Sequence, residues 1–308
     1  MNTKKTFLGG LLYGLMALVG KLPDRWHYFW ADVIAFILRK VVRYRYDTVR
    51  EQLTKAFGKE EGEKYIKPYY RHLGDLFVEY LMLAGFDERR FKEHVVMTNP
   101  ELFGRLHDEG HPHLFLLVGH LGNWEYYTGF QIYSDTAYHV LYKAQHGIGD
   151  ELFRRLRGKF GSLLLDKNEA GAYIVSHRRD TEHRTYIFAA DQEPPYPSIN
   201  LYTRFLGRPT ATFTGAERLA SALRAPVIYA HSRQTSRGKY EVTLEVMTRD
   251  ASELAKGDLS IRFMEMLEKD LLAQPEQWLW SHKRWKHDLE WRRANDPNFD
   301  KQNIRVNL

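Results

Sequence analysis

The residues best suited to chemistry are a histidine and a glutamate, His120 and Glu125, which lie five positions apart. They follow an apolar run, His113–Val118, that reads as a buried strand, and two glycines flank the histidine in a tight turn. If the turn folds the glutamate back, its carboxylate can accept one imidazole N–H and leave the other nitrogen free to take a proton from an alcohol. The junction therefore predicts a general base suited to acyl transfer onto a hydroxyl.

A simpler interpretation of the same junction stays open. A histidine followed five residues later by a glutamate recurs by chance, and a turn histidine can be satisfied by backbone groups. Glu125 would then only favour the N-terminus of the helix that follows, and Asn123 would be the N-cap of that helix.

Short apolar runs alternate with helical patterns beyond residue 112. Strands are predicted over 113–118, 138–142, 162–165, 185–190, 226–231 and 240–246. Helical spacing is found over 124–132, 149–159, 169–179 and 212–223. The alternation predicts an α/β fold with a mostly parallel central sheet flanked by helices. Ligands in such folds collect beyond the carboxyl ends of strands, which is where His120 lies.

The N-terminal residues 1–45 are predicted to form a membrane-associated helical segment. An apolar run over 7–19 follows two lysines, is shorter than the roughly 20 residues of a membrane span, and has no small-residue cleavage site before Lys21. We therefore favour an uncleaved anchor or interfacial helix over a cleaved signal or a soluble packing helix.

An apolar stripe at helical spacing continues this segment over 26–41, with basic residues on its flanks. Tryptophan beside arginine suits a headgroup boundary, although the stripe also fits a helix packed on a soluble core. Residues 47–83 read as helical, with a possible kink at Pro68. The remaining chain, 46–308, is predicted to be one catalytic domain.

Composition limits the chemistry and the partners. The chain of 308 residues has no cysteine, which excludes thiol nucleophiles, thiolate metal sites and disulfides. Its net charge of +6 indicates an anionic partner, which could be nucleic acid, a phospholipid surface or an acidic carrier protein. Because the sequence has no zinc, helix-turn-helix or RNA-binding motif, we expect no nucleic-acid partner. No metal-ligand spacing is found, so we expect no metal and no cofactor.

Residues 119–125, Gly-His-Leu-Gly-Asn-Trp-Glu, match the GH-x-GNWE form of an H-x4-E motif. This motif resembles that of the bacterial lipid A biosynthesis acyltransferases, the late acyltransferases of the lysophospholipid acyltransferase superfamily. Similar elements follow in the family's order over nearly the whole chain, namely 30–32, 43–45, the R-x-x-x-G element at 157–161, Asp191-Gln192, 205–212 and the closing segment 275–286.

Three departures from the family pattern stand out. Lys143 stands where members often have arginine, and Leu206 replaces the second phenylalanine of an F-F-G element. Residues 194–197, Pro-Pro-Tyr-Pro, replace a Gly-rich stretch after Asp191-Gln192. Because that stretch lies near the expected pocket, the change bears on the identity of the acceptor more than on the chemistry.

The resemblance implies a glycerolphosphate acyltransferase-like fold and a role for each matching residue. His120 would be the general base and Glu125 would orient or charge it. Asn123 and Arg157 would position an acceptor phosphate or the thioester carbonyl, with Asp191, Gln192 and Lys143 supporting the site. The donor would be an acyl carrier protein thioester, and the acceptor a hydroxyl of a lipid A precursor. The enzyme would act at the inner membrane, with its catalytic domain on the cytoplasmic side.

Alternatives remain at this stage. The same chemistry could serve a lysophospholipid, an aminolipid or another glycolipid, and a non-catalytic basic protein could bind a membrane surface instead. Arg157 could belong to a solvated helix face, Asp191 could cap a turn, and Asn123 could be a plain N-cap. We expect the tryptophans of 275–286 to be core or interfacial residues and His282 to be structural.

Overall fold

The N-terminal third of the protein is helical in the computed structural model, which describes residues 3–144, 147–299 and 302–308. Residues 1 and 2 of the predicted membrane-associated segment therefore lie outside the described part. The helices of this third are α1 (Thr3–Gly20), α2 (Asp24–Phe36), α3 (Tyr46–Phe57), α4 (Lys59–Gly85), α5 (Glu88–His94) and α6 (Glu101–Asp108). The later helices are α7 (Ile148–Arg157), α8 (Ala170–Ser176), α9 (Gly215–Leu223), α10 (Asp258–Ala273) and α11 (Leu289–Asn295).

The strands form two sheets. In chain order they are β1 (Val95–Met97), β2 (His113–Val118), β3 (Ala137–Tyr142), β4 (Leu163–Asp166), β5 (Arg184–Ala189), β6 (Leu201–Phe205), β7 (Arg208–Ala211), β8 (Val227–Ser236), β9 (Lys239–Thr248) and β10 (Arg305–Asn307). The large sheet has the order β1-β9-β8-β2-β5-β3-β4, and the small one the order β10-β6-β7. In the large sheet only the β8–β9 pair is antiparallel among the described residues, so the predicted mostly parallel sheet flanked by helices is confirmed.

Strand β2 lies in the middle of the large sheet and is buried over its full length. Phe115 and Leu117 belong to one apolar core, whereas Leu114 and Leu116 belong to a second core on the other face. Burial on both faces explains why this strand reads as an unbroken apolar run. A rigid central strand fixes the position of the turn that follows it.

The long helix α4 is the common packing partner of three other N-terminal helices. Helices α1, α2 and α3 all pack against α4, which continues through Pro68 without ending. Helix α2 turns its small residues Ala31 and Ala35 toward α4, while Trp26 and Phe29 of the predicted stripe are exposed. A π-helical turn, Ile37–Val41, ends the stripe. In the described part of the chain no helix combines the length and the apolarity needed to cross a membrane. The membrane association of this segment and its boundary at residue 45 stay predictions.

Candidate active site

The turn after β2 meets the turn after β5 because these strands are parallel neighbours in register. His120 comes two residues after the end of β2, and Asp191 comes two residues after the end of β5. Gly122 gives the first turn its shape, since its backbone has φ 66°, a left-handed conformation that favours glycine. At Gly119 an added Cβ would lie 2.5 Å from Leu267 Cδ1, so the buried Leu267 side chain would have to move.

Asp191 holds His120 in place through two hydrogen bonds. The imidazole Nδ1 lies 2.6 Å from Asp191 Oδ1, and the backbone N–H of His120 donates to Oδ2 at 2.9 Å. The indole N–H of Trp278 donates to the same Oδ2 at 2.8 Å. The Asp191 side chain is 1% exposed and the imidazole 15% exposed, so the pair is shielded from water on the carboxylate side. The imidazole partner is therefore Asp191, and not Glu125 as the spacing of the two residues suggested.

The pKa values of this pair shift in opposite directions. Burial by itself lowers the pKa of His120, but the Asp191 carboxylate outweighs it and holds that pKa above the usual histidine value. Burial likewise opposes ionisation of Asp191, and the charge and hydrogen bonds of His120 bring the pKa of that carboxyl well below its usual value. Because Nδ1–H donates to Asp191, the nitrogen that can accept a proton is Nε2.

Gln192 occupies the space in front of that nitrogen. Its side-chain amide nitrogen lies 3.1 Å from His120 Nε2 and can donate to the imidazole lone pair. Trp124 packs edge-on against the imidazole, with 5.2 Å between ring centroids. The imidazole is thus contacted at both nitrogens and on one side of the ring.

Glu125 forms a two-pronged ion pair with Arg157. Arg157 Nε and Nη2 donate to the two carboxylate oxygens at 2.8 and 2.7 Å. Both side chains are mostly buried, and although burial opposes it, the hydrogen bonds and charge of Glu125 raise the pKa of the guanidinium. Arg157 therefore does not lie on a solvated helix face. The glutamate acts on His120 only through its charge, which favours the protonated imidazole.

Asn123 lies behind the turn and is 4% exposed. Its Oδ1 accepts the backbone N–H of Glu125 at 3.0 Å, so it is the N-cap of the 3-10 helix Trp124–Tyr133. Its Nδ2 donates to Glu79 Oε2 at 2.7 Å. The predicted cap is confirmed, although the helix is 3-10 instead of α.

A cavity of about 640 Å³ lies at the carboxyl ends of β2, β3, β4 and β5. Among the predicted site residues, His120, Glu125, Lys143, Arg157 and Gln192 line it, whereas Asn123 and Asp191 support it from behind. Its apolar wall contains Val140, Leu141, Ile187, Phe188, Phe213 and Leu219. The size and the mixture of apolar wall and few polar groups are typical of a site for an organic ligand.

Positive charge prevails at the rim of this cavity. Three exposed basic residues line it, namely Lys143, Lys167 and Arg218. The lining also contains two carboxylates, Glu125 and Glu193, and each is bound to a buried or partly buried arginine. The cavity is therefore suited to an anionic group at its mouth. Within the described residues, no cluster of three or more histidine, aspartate or glutamate side chains could hold a metal ion.

The closing segment 275–286 supports the site from below. Gly122 N–H donates to the carbonyl of Gln277, and Trp278 holds Asp191 as described. Arg284 is fully buried and donates to Glu193 at 2.8 Å, and the backbone N–H of Glu193 donates to His282 Nε2 at 3.1 Å. The tryptophans of the segment are core residues as expected, but Trp278 also contacts the site, which composition and spacing did not indicate. Glu79, Glu193, Lys167 and Arg218 were missed as well.

Comparison with known protein families shows which family the chain belongs to. The family model described as bacterial lipid A biosynthesis acyltransferase matches residues 2–287. The chain belongs to this family. The match includes every element on which the resemblance rested, from 30–32 to 275–286. No curated protein matches the chain.

Family membership gives the site its general purpose. A lipid A biosynthesis acyltransferase transfers an acyl group and acts on a lipid acceptor. The cavity next to His120 has an apolar wall and a basic rim. The apolar wall and the basic rim agree with a site where an acyl group is transferred to a lipid acceptor.

Proposed function

We propose that this enzyme transfers a fatty acyl chain from an acyl carrier protein thioester to a hydroxyl of a lipid A precursor, with His120 as the general base. The observation that carries the proposal is the hydrogen bond between His120 Nδ1 and Asp191. It fixes the tautomer in which Nε2 can accept a proton, on an imidazole that lines the cavity of about 640 Å³.

The reaction needs one proton transfer in each direction. The acceptor hydroxyl takes the place of the Gln192 amide at Nε2, gives its proton to the imidazole, and attacks the thioester carbonyl carbon. The C–S bond then breaks, and the leaving thiolate takes the proton back from Nε2. Asp191 stays ionised and stabilises the imidazolium that forms between these two steps.

Arg157 is the group best placed to act on negative oxygen. Glu125 binds Nε and Nη2, which fixes the plane of the guanidinium against the cavity wall. The Nη1 edge can then donate to the carbonyl oxygen as it gains charge, or to an acceptor phosphate. In this proposal Glu125 supports catalysis chiefly by orienting Arg157, and secondarily through its charge near His120.

The substrates proposed for the cavity agree with its charge. An acyl carrier protein is acidic, its prosthetic group contains a phosphate, and a lipid A precursor carries phosphates of its own. Lys143, Lys167 and Arg218 at the rim would attract any of these. We further propose that the protein works at the cytoplasmic face of the inner membrane, using the exposed aromatic residues of α2 as a contact surface.

The decisive experiment is acyl transfer by the purified enzyme in detergent, with an acyl carrier protein thioester and a panel of acceptors. We expect transfer to a lipid A precursor, lost in His120→Ala and strongly reduced in Glu125→Ala. His231→Ala is the matched control, because His231 also pairs with an aspartate, Asp270, but lies outside the cavity lining within the described residues.

Other outcomes have distinct meanings. Transfer only to a lysophospholipid, aminolipid or other glycolipid would keep the mechanism and replace the acceptor. Transfer by His120→Ala at the wild-type rate would overturn the general base. A protein that binds membranes but transfers nothing with any donor would overturn the catalytic proposal as a whole.

A further inference from the structure

A fully buried glutamate lies next to the active-site turn and takes no part in the mechanism above. Glu79 is on α4, is 0% exposed, and accepts hydrogen bonds from three elements. Tyr28 of α2 donates to Oε1 at 3.1 Å. Asn123 of the turn donates to Oε2 at 2.7 Å, and Tyr240 of β9 donates to Oε2 at 3.1 Å.

All three donors are neutral, and among the described residues no cation forms an ion pair with Glu79. Arg237 binds Asp75 and Asp32, one turn before Glu79 on α4 and on α2 respectively. A carboxylate in such surroundings is kept only when its oxygens are satisfied by hydrogen bonds, since burying it unpaired is costly. Burial raises the pKa of Glu79 to about 7, and the charge of Asp75 adds to that effect.

The carboxylate dictates how the Asn123 amide is turned. In its ionised form Glu79 has oxygens that only accept hydrogen bonds, so it requires the Nδ2 end of the amide to face it. Oδ1 must then point the other way, where it accepts the backbone N–H of Glu125. That cap sets the first residue of the 3-10 helix and, with it, the direction of the Glu125 carboxylate toward Arg157.

We infer that Glu79 is a positioning residue for the acyl-transfer site, which fixes the Asn123 amide and thereby the Glu125–Arg157 pair, and which joins this turn to α2 through Tyr28. The inference rests on the proposed function for its kinetic consequence, but its structural part does not. It also gives α2 a physical connection to the site, because Tyr28 lies on the same helix as the exposed aromatic residues.

The kinetic test compares Glu79→Gln with Asp75→Asn. Asp75 is one helical turn away, is 4% exposed and binds Arg237, and among the described residues it forms no hydrogen bond with Asn123. Both variants replace a buried carboxylate of α4 by an amide of similar size, which makes them a matched pair. We expect Glu79→Gln to lower kcat about 10–100-fold with a small change in KM, as loss of an orienting neighbour does. Asp75→Asn should retain kcat within about twofold. Equal loss of kcat in both variants would overturn the inference.

An exchange of the two side chains sharpens the test. In the double variant Glu79→Gln, Asn123→Asp the new amide can again donate to the new carboxylate, which still accepts the N–H of Glu125. We expect this variant to be more active than Asn123→Asp alone. If the two substitutions simply multiply their losses, the contact has no role in positioning and the inference fails.

Hydrogen exchange separates this inference from the proposed function. The backbone N–H of Glu125 should exchange faster in Glu79→Gln than in the wild type, and at the wild-type rate in Asp75→Asn. This readout needs no substrate, so it holds even if the enzyme transfers acyl groups to another acceptor. Unchanged protection of the Glu125 amide in Glu79→Gln would overturn the inference, whatever the activity assay finds.

Discussion

Two carboxylates lie near His120, and their different partners explain why one accepts from the imidazole. Asp191 follows β5, the direct neighbour of β2, so its side chain lies within hydrogen-bond distance of the imidazole. Glu125 lies beyond the turn, where the 3-10 helix directs it to Arg157. The order of the strands therefore places Asp191 against the His120 imidazole, whereas Glu125 pairs with Arg157.

Replacing Asp191 by asparagine should abolish most of the activity while leaving the fold intact. An amide has one accepting oxygen for the three donors that Asp191 satisfies, so the imidazole loses its fixed tautomer. We expect kcat to fall about 10²–10⁴-fold, the range in which a positioned general base contributes. Asp270→Asn is the matched control because Asp270 binds His231 Nδ1 at 2.8 Å outside the cavity lining, and we expect it to keep its activity.

In Asp191→Asn the pH profile of the residual activity should shift in a definite direction. The active form has a neutral imidazole, so the rate falls as the pH drops through the pKa of His120. Because Asp191 holds that pKa above the usual value, its removal should move the acidic limb of the profile to lower pH. An acidic limb that stays in place in Asp191→Asn would mean that another group is the base.

At the level of residues, sequence reasoning found the groups that belong to one local motif. His120, Asn123 and Glu125 stand within a single turn, so their spacing was visible. Asp191 lies 71 positions from His120, and only the resemblance pointed to it. Glu79 was missed, because a glutamate inside a long helix is normally a solvent-exposed residue, and nothing in the local pattern shows that three other elements surround it.

Among the secondary-structure elements, all six predicted strands are present, as β2, β3, β4, β5, β8 and β9. Strands β2 and β5 carry apolar runs that are almost fully buried, and even the short, partly exposed β4 has three leucines in a row, so pattern analysis finds them. Strand β1 and the small sheet were not predicted. The paired part of β1 has only three residues, and β10 pairs with β6 from about a hundred positions away, so their formation depends on tertiary contacts.

The contact between α2 and α4 depends on small residues. An added Cβ on Gly74 of α4 would collide with the carbonyl oxygen of Ala31 and come within 3.0 Å of Ala35 Cβ. The two helices can therefore approach closely only with glycine at this position. The hydrogen bond from Tyr28 to Glu79 also joins α2 to α4, so the distance between the helices decides whether Tyr28 reaches Glu79.

Two glycine-to-alanine substitutions in helices should have opposite effects on stability. Gly74→Ala forces α2 away from α4, and we expect the free energy of unfolding to fall by about 1–3 kcal/mol. Gly104→Ala in α6 is the control, because an added Cβ there meets no atom within 4 Å. It should raise stability by about 0.5–1 kcal/mol through the higher helix propensity of alanine. Urea denaturation measures both, and a Gly74→Ala protein as stable as the wild type would show that the helices separate without cost.

The molecule as a whole presents an aromatic surface at its N-terminal end. On α2, Trp26, Phe29 and Trp30 are 40%, 62% and 44% exposed, and Trp30 packs against the other two rings. Val41, the last residue of the π-helical turn, and Val42 directly after it continue the exposed apolar surface. Exposed basic residues, Arg25, Lys40, Arg43 and Arg45, lie in the same stretch of chain. Aromatic rings beside cations match the boundary between lipid headgroups and acyl chains.

Removing two of these rings should separate membrane docking from catalysis. Burying one such ring in lipid contributes about 1.5–3 kcal/mol, so we expect Phe29→Gln, Trp30→Gln to weaken co-sedimentation with anionic phospholipid vesicles about tenfold or more. Trp291→Gln is the matched control: Trp291 is 57% exposed but lies on α11, near the other end of the chain.

The double variant should also lose activity toward an acceptor embedded in vesicles while keeping it toward the same acceptor in detergent, because His120, Asp191 and Arg157 are untouched. High salt should weaken the binding of the wild type only in part, since the apolar contribution is not screened. If the double variant binds vesicles as the wild type does, α2 is not the lipid-facing surface, and its exposed aromatic residues have another partner.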